Sequence, residues 1–319
     1  MPVGRFAPSP SGALHVGSLR TALVAWLAAR SGGSRFLLRS EDLDPSGRPH
    51  HERSQQRDLR ALGLGWDGAV VRQSERRELY DDAISQLVRA GLTYPCFCTR
   101  REIHEATQAP HGNEAGLAYP GTCRDLTNAQ RRERAAAGRP PALRLRAGSP
   151  TVEVLDTLHG RHGAVVDDLV LRRNDGLPAY NLAVVVDDAD QGVEEVVRGD
   201  DLLASTPRQV HLARLLGLTA PAYLHVPLVV GSDGTRLAKR HGSITLYDLL
   251  GAQMTPAQVR AILARSLGLA GRHERPSLSE LATRLDRGAL PREPWAWSLG
   301  SGTGRQNIGS RGSDLGDAL

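Results

Sequence analysis

The sequence is poor in cysteine, in aromatic residues and, above all, in lysine. Its 319 residues include three cysteines, all between residues 96 and 123, which is too few for a disulfide scaffold. Aromatic residues make up 4% of the chain, which argues against recognition of single-stranded nucleic acid by broad stacking surfaces. No apolar run approaches the ~18 residues that span a membrane, and no secretory signal opens the chain. We therefore expect a cytoplasmic protein that does not associate with membranes.

The shortage of lysine singles out one position. Lys239 is the only lysine among the 40 lysine and arginine residues, so the other 39 are arginines. Arginine does not replace lysine where a compact ammonium must touch a phosphate as a point charge. Because Lys239 lies in a glycine-punctuated basic loop at residues 231–242, we interpret it as a phosphate contact. The formal net charge of +5 suits a polyanionic partner without requiring one.

The first forty residues predict a strand–loop–helix–strand unit, the start of a parallel α/β sheet. A strand at residues 3–7 leads through a loop at 8–12 into a helix from about His15, and a second strand follows at 35–39. Further helices are predicted near 49–62, 75–90, 127–137 and 206–216, and further strands at 168–172, 183–186, 193–197 and 225–230.

Beyond residue 250 two short helices have clear start signals. Thr255 is a capping residue followed by Pro256 at the first helical position, and Ser277 with Glu280 forms a capping box. From about residue 298 the chain is rich in glycine and serine and has no periodicity, so we expect a disordered tail.

The helix that follows the first strand carries a candidate nucleotide site. Gly17 allows a ligand to approach the backbone, and unpaired N–H groups of a first helical turn attract phosphate. His15 lies at the same place, at the carboxyl end of a strand, where α/β sheets bind ligands. Neither G-x-x-x-x-G-K-[ST] nor G-x-G-x-x-G occurs, which excludes the two standard phosphate-binding loops.

The cysteines form a candidate metal site. Cys96 and Cys98 face the same side of an extended chain, and Cys123 supplies a third sulfur. Three sulfurs and one further ligand make a closed tetrahedral zinc site. On chemical grounds alone, Tyr119 and His111 are rivals for the fourth position.

Several of these motifs resemble class I glutamyl-tRNA synthetases. Residues 5–17 resemble the opening of that family, and residues 236–240 resemble its second signature, usually Lys-Met-Ser-Lys-Ser. Residues 40–44, 180–188 and 198–201 also match, so the similarity runs in order over about residues 3–250.

The chain departs from the family pattern at two places. Ser18 stands where the first signature has a second histidine, and Arg236 and Ala238 replace the first lysine and the serine of the second signature. The second change weakens the polar contacts of the Lys239 loop.

The resemblance implies the fold and the substrates. It implies a Rossmann-like parallel-sheet catalytic domain with an inserted zinc-containing subdomain and a short C-terminal helical part. It implies that His15 and Lys239 are catalytic, and that His15, Gly17, Ser18 and Lys239 bind ATP, with Mg²⁺ on the phosphates. The implied glutamate-binding residues are Arg5, Phe6, Ala7, Pro8, Ser9, Glu41, Tyr180 and Arg198. Arginines suit the substrate carboxylates because the guanidinium binds them in a bidentate way, and Glu41 offers an anion for the ammonium group.

The length of the chain points to one branch of the family. Only 78 residues follow His241, so we expect no large anticodon-binding domain. This plan is similar to the compact glutamyl-Q tRNA(Asp) synthetases, which carry a Cys-x-Cys…Tyr-x-x-x-Cys zinc site. That similarity implies activation of L-glutamate with ATP without tRNA, then transfer to the queuosine base at the wobble position of tRNA(Asp). It also implies one structural zinc ion on Cys96, Cys98, Tyr119 and Cys123, and a monomer.

The predicted division of the chain has five parts. These are a first half of the catalytic domain (1–93), a zinc-binding insertion (94–165), a second half with the lysine loop (166–250), a short helical stem-contact region (251–297) and the tail (298–319). Three alternative functions stay open: a truncated synthetase that charges a tRNA 3′ end, a non-catalytic RNA-binding paralogue, and a nucleotidyltransferase that acts on a small molecule.

Overall fold

The computed structural model describes residues 2–107, 119–231, 234 and 244–297, apart from the side chains of residues 100 and 105–107. The strands are β1 Gly4–Phe6, β2 Phe36–Ser40, β3 Val71–Arg72, β4 Thr93–Cys96, β5 Ala142–Leu145, β6 Thr151–Asp156, β7 Gly160–Val165, β8 Val170–Arg172, β9 Glu195–Gly199, β10 Ala222–Val226, β11 Val229–Val230 and β12 Trp295–Ala296. The helices are α1 Val16–Ser31, α2 Pro49–Ala61, α3 Arg77–Arg89, α4 Arg100–Thr107, α5 Asn128–Ala136, α6 Tyr180–Asp190, α7 Thr206–Leu215, α8 Leu246–Gly251, α9 Pro256–Ser266 and α10 Leu278–Arg284.

A seven-stranded sheet organises the chain, in the order β3-β2-β1-β9-β10-β6-β7. Neighbouring strands are parallel from β3 through β6, and β7 returns antiparallel to β6. Arg5 of β1 lies between Leu37 of β2 and Val196 of β9. The chain leaves β1 toward β2 and later adds β9 on the other side, so the strand order reverses between β1 and β9. Open α/β sheets bind their ligands at such a point, beyond the carboxyl ends of the strands.

Helices cover both faces of this sheet, which confirms the predicted fold class. Adjacent residues of β9 show the two layers: Val196 packs in one core with Leu182 of α6. Val197 packs in the other core with Leu23 of α1 and Leu263 of α9. Because successive side chains of a strand point to opposite faces, one strand contributes to both cores. No helix in the described part of the chain is long and apolar enough to cross a membrane.

Helix α1 is fixed from two sides by a buried arginine. The Arg20 side chain donates from NH1 to the carbonyl of Pro227, 2.8 Å away, and from Nε to Ser266 Oγ at 3.0 Å. Burial lowers the pKa of Arg20 to about 10, so the group stays charged at neutral pH. The N-terminal end of α1 is thereby held against both the loop after β10 and the C-terminal helices.

The segment with the cysteines builds a second sheet. Strands β4, β5 and β8 form an antiparallel three-stranded sheet, and Cys96 ends β4. Helix α5 begins at Asn128 and is capped by Thr127, which forms a capping box with Gln130. The hairpin β6–β7 lies in the sequence range of the predicted insertion, 94–165, yet it extends the main sheet beside β10. The predicted domain boundaries stay a prediction.

Two predicted strands are wrong in detail. Residues 183–186 belong to helix α6, in which every residue from Leu182 to Asp188 is buried. A helix that is buried all round shows no apolar stripe, so a run of valines does not distinguish it from a buried strand. The predicted strand at 225–230 is interrupted at Pro227, which has no N–H to donate to a ladder, and appears as β10 and β11. The predicted helix starts at Thr255 and Ser277 are confirmed.

Candidate active site

A cavity of about 530 Å³ lies beyond the carboxyl ends of β1 and β9. Its wall is made by β1 and the loop that follows, the start of α1, the residue after β2, the start of α6, the end of β9 and residues 227–229. The predicted nucleotide and glutamate residues that the structure describes all line it: Arg5, Phe6, Ala7, Pro8, Ser9, His15, Gly17, Ser18, Glu41, Tyr180 and Arg198. Lys239 lies outside the described residues.

His15 caps α1 at the edge of the cavity. Its Nδ1 accepts a hydrogen bond from the backbone N–H of Ser18 at 3.2 Å, and its Nε2 lies 3.1 Å from Ser18 Oγ. Since Nδ1 accepts, the proton of a neutral ring sits on Nε2. A Cβ at position 17 would lie 3.0 Å from the His15 ring, so a larger residue would fit only if that ring shifted by a few tenths of an ångström. Together these residues present the N-terminus of a helix, which favours anions, to the cavity.

A buried network of charges supports one wall. Arg5 donates from Nε to Asp188 Oδ1 at 3.1 Å, and Arg39 reaches the same oxygen from NH2 at 2.8 Å. Arg39 also lies 3.4 Å from Glu41 Oε1 and 3.7 Å from Asp187 Oδ2. Burial alone would raise the pKa of Asp188, but the two guanidinium groups offset it and hold that pKa below its usual range. Asp188 is therefore the ionised anchor between the two arginines.

The pKa of Glu41 is shifted in the opposite direction to that of Asp188. Burial raises the pKa of Glu41, and attraction to Arg39 and Arg5 does not offset it fully. The charge of this carboxylate is thus only partly compensated by Arg39, while the group faces the cavity. A cationic group in the cavity would supply what the protein does not.

Arg198 lies on the other side of β1 from Glu41, at the end of β9, and is 6% exposed. It donates from Nε to His225 Nε2 at 3.0 Å, from NH1 to Gln209 Oε1 at 2.8 Å and from NH2 to Thr206 Oγ1 at 2.9 Å. His225 lies next to it across the β9–β10 ladder. These supporting residues, like Arg39, were missed in the sequence because no local motif marks them, and Asp188, although it ends the matched stretch 180–188, was not assigned to the site.

The three cysteines come together with Tyr119 away from this cavity. Their sulfur atoms lie within 4.8 Å of one another. The Tyr119 hydroxyl lies 3.3 Å from Cys96 Sγ and 3.8 Å from Cys98 Sγ, and it accepts from the Cys123 backbone N–H at 2.8 Å. His111, the rival fourth ligand, lies outside the described residues.

The cluster has the dimensions of a metal site. Two sulfurs at 2.3 Å from one tetrahedral ion lie about 3.8 Å apart. Cys98 Sγ and Cys123 Sγ are 3.5 Å apart. Burial and the neighbouring thiols raise the pKa of Cys98 to about 12 and so disfavour its thiolate. A bound cation would stabilise that thiolate. Cys96, Cys98 and Cys123 can hold a metal ion.

Comparison with known proteins agrees with this geometry. Residues 3–287 match the family model for the catalytic domain of class I tRNA synthetases (E and Q). The chain belongs to this family and is a ligase. A protein of Nocardia farcinica named glutamyl-Q tRNA(Asp) synthetase is 63% identical over 292 residues, 92% of each chain. One of that name from Symbiobacterium thermophilum is 48% identical over 305 residues, 91% of this chain and 94% of its own.

A solved synthetase structure supports the same assignment. The glutamate tRNA ligase of Elizabethkingia meningosepticum, in complex with its amino acid, superimposes with a TM-score of 0.80 and 26% sequence identity. The match covers 94% of this chain and 68% of that one. The predicted family, and the predicted class of enzyme with it, are confirmed.

Proposed function

We propose that this synthetase activates L-glutamate with ATP, without the help of tRNA, and transfers the glutamyl group to the queuosine base at the wobble position of tRNA(Asp). The observation that carries the proposal is the single cavity in which Arg5, Arg198 and Glu41 meet the capped N-terminus of α1. The names of the most similar proteins described above support the acceptor.

The first step forms a mixed anhydride. An oxygen of the glutamate α-carboxylate attacks the α-phosphorus of ATP in line, the bond to the bridging oxygen breaks, and pyrophosphate leaves with Mg²⁺. Little covalent chemistry is asked of the protein, so positioning and stabilisation of charge supply most of the rate. His15, the helix N-terminus at Gly17 and Lys239 hold the phosphate charge.

Glutamate is held by the opposite part of the wall. Glu41 accepts from the substrate ammonium, which adds a second cation beside Arg39. Arg198 binds a carboxylate through its planar guanidinium. Phe6, Ala7, Pro8, Ser9 and Tyr180 complete the pocket around the chain of the amino acid.

In the second step a hydroxyl of the modified base attacks the carbonyl carbon of glutamyl-adenylate. An ester forms, the hydroxyl releases its proton to solvent, and AMP leaves with the electron pair of the anhydride bond. Cys96, Cys98, Cys123 and Tyr119 would hold a zinc ion in a structural role, since a site closed by four protein ligands would leave no position for substrate.

Two assays test the proposal. Glutamate-dependent exchange between ATP and pyrophosphate without any tRNA should proceed at the rate seen with tRNA. Glutamylation should occur with queuosine-containing tRNA and fall to background with tRNA from cells that lack queuosine. Equal glutamylation of both tRNAs would instead indicate charging of a 3′ end, and absence of exchange both with and without tRNA would indicate a non-catalytic RNA-binding protein.

A further inference from the structure

The two arginines of the cavity differ in the charge of their partners. Arg5 is paired with the carboxylate of Asp188. Arg198 is nearly as buried, yet its three nitrogens donate to His225, Gln209 and Thr206, none of which carries a formal negative charge. Among the described residues, no carboxylate lies within ion-pair distance of Arg198. A buried cation without an anion is costly, unless a ligand brings the anion.

The contact with Arg198 fixes the protonation of His225. A guanidinium nitrogen only donates, so His225 Nε2 must be an unprotonated acceptor. The proton then sits on Nδ1, which donates to Asp156 Oδ2 at 2.7 Å. Burial lowers the pKa of His225, in agreement with a neutral ring.

Asp156 is itself held rigidly. Its Oδ2 also accepts from the His225 backbone N–H at 3.0 Å, and its Oδ1 accepts from the backbone N–H groups of Leu158 and His159 at 3.0 and 2.8 Å. The His225 and Asp156 side chains are fully buried. The His225 ring is therefore fixed in one orientation, in which it donates to Asp156 and accepts from Arg198.

The same contacts leave part of the guanidinium unused. Arginine carries five N–H groups. The described side chains take the one on Nε and one on each terminal nitrogen. One N–H on each terminal nitrogen is left, and such a pair matches the two oxygens of a carboxylate.

We propose that His225, oriented by Asp156 and assisted by Thr206, is a positioning residue that fixes Arg198 for a substrate carboxylate without neutralising its charge. This inference rests on the proposed function, because it takes Arg198 as part of the glutamate pocket. It adds residues that never touch the substrate but determine how tightly its carboxylate is bound.

A matched pair of substitutions tests the proposal. His225→Asn keeps a donor near the Nδ1 position for Asp156 and removes the acceptor for Arg198. His225→Gln places an amide oxygen near the Nε2 position and so keeps that acceptor. The dissociation constants of L-glutamate and of ATP are measured separately by calorimetry, and thermal unfolding reports folding. His211→Asn is the control, because His211 contacts the carbonyl of Ala147 and does not line the cavity.

The expected result is selective. His225→Asn should raise the dissociation constant of L-glutamate at least tenfold, because a hydrogen bond to a charged group is lost. ATP binding should be unchanged, and His225→Gln should recover most of the affinity for glutamate. Unchanged glutamate affinity in His225→Asn, or equal losses for glutamate and ATP, would overturn the proposal.

Two further outcomes are also decisive. If neither His225 variant folds, Thr206→Val replaces them: a selective loss for glutamate supports the proposal, and wild-type affinity overturns it. If the wild-type protein binds glutamate but shows no exchange activity, the proposed function fails while the affinities still test the positioning role. If the wild-type protein binds no glutamate, both fail.

Discussion

Substitution of Glu41 by glutamine should weaken substrate binding and stabilise the fold at the same time. In the proposed site the Glu41 carboxylate accepts from the ammonium of glutamate. A hydrogen bond between charged groups contributes ~1.5–3 kcal/mol. Because every 1.4 kcal/mol is a factor of ten in affinity, Glu41→Gln should raise the glutamate dissociation constant roughly 10- to 150-fold. The affinity for ATP should not change.

The effect on stability has the opposite sign. Burial raises the pKa of Glu41 in the folded protein, so its ionisation at pH 7 costs folding free energy. Glutamine has the same shape and no charge, and should therefore raise the free energy of unfolding at pH 7. The gain should shrink as the pH falls and the wild-type carboxyl takes up a proton, because the native state then binds more protons than the unfolded chain.

Glu52 supplies a control with the reverse expectation. Arg72 donates to it from Nε at 3.0 and 3.1 Å and from NH2 at 2.8 Å, and these hydrogen bonds lower the pKa of Glu52. Glu52→Gln should lose about 1 kcal/mol of stability, since Arg72 is half exposed to solvent, and should leave glutamate affinity unchanged. Calorimetry and urea unfolding at pH 7 measure both quantities. Glutamate affinity within twofold of wild type in Glu41→Gln, or a loss of stability, would refute the reasoning.

Three further predictions concern other parts of the molecule. Lys239→Arg should lower glutamate-dependent ATP–pyrophosphate exchange at least tenfold, ~1.4 kcal/mol of barrier per decade, although it preserves charge; a wild-type rate would contradict the phosphate contact. Metal analysis should find about one equivalent of zinc in the wild-type protein and much less in Cys98→Ser. A wild-type protein without zinc would contradict the metal site. Asp188→Asn leaves two buried guanidinium groups without their shared carboxylate and should cost ~3–5 kcal/mol of unfolding free energy. Asp190→Asn, at a half-exposed position of α6, should cost at most ~1 kcal/mol; equal losses would contradict the assignment.

Local signals predicted much of the fold. The helix starts at Thr255 and Ser277 follow from capping chemistry within four residues, and the structure contains both. The opening strand–loop–helix–strand unit follows from apolar periodicity. Arg5 and Arg198 were assigned to one pocket through family motifs, and the structure supplies the reason: β1 and β9 are adjacent strands whose carboxyl ends meet.

Local sequence signals could not predict the residues that support the two arginines of the cavity. His225 lies beside Arg198 only because β10 pairs with β9 in one register, and Asp156 joins from a strand on the other side of β10. Asp188 was missed for a different reason. The preceding valines were interpreted as a strand, in which Asp187 and Asp188 would point to opposite faces; in helix α6 both contact Arg39.

The rigidity of the two anchors bears on which amino acids the proposed site accepts. In the proposed site Arg198 binds the side-chain carboxylate, because the α-carboxylate must reach the ATP. Glutamine has a carbonyl and an NH₂ where glutamate has these two oxygens, so it would place a donor against one N–H of Arg198 and leave that N–H unpaired. Sites with buried donors reject such analogues strongly. Aspartate satisfies the charge and differs by one methylene, which a compliant pocket distinguishes by only ~1–3 kcal/mol. Rejection of aspartate must therefore come from a fixed separation between Glu41, held by Arg39, and Arg198, held by His225. Loss of the His225 contact should accordingly relax discrimination against aspartate, since a mobile guanidinium can follow the shorter side chain.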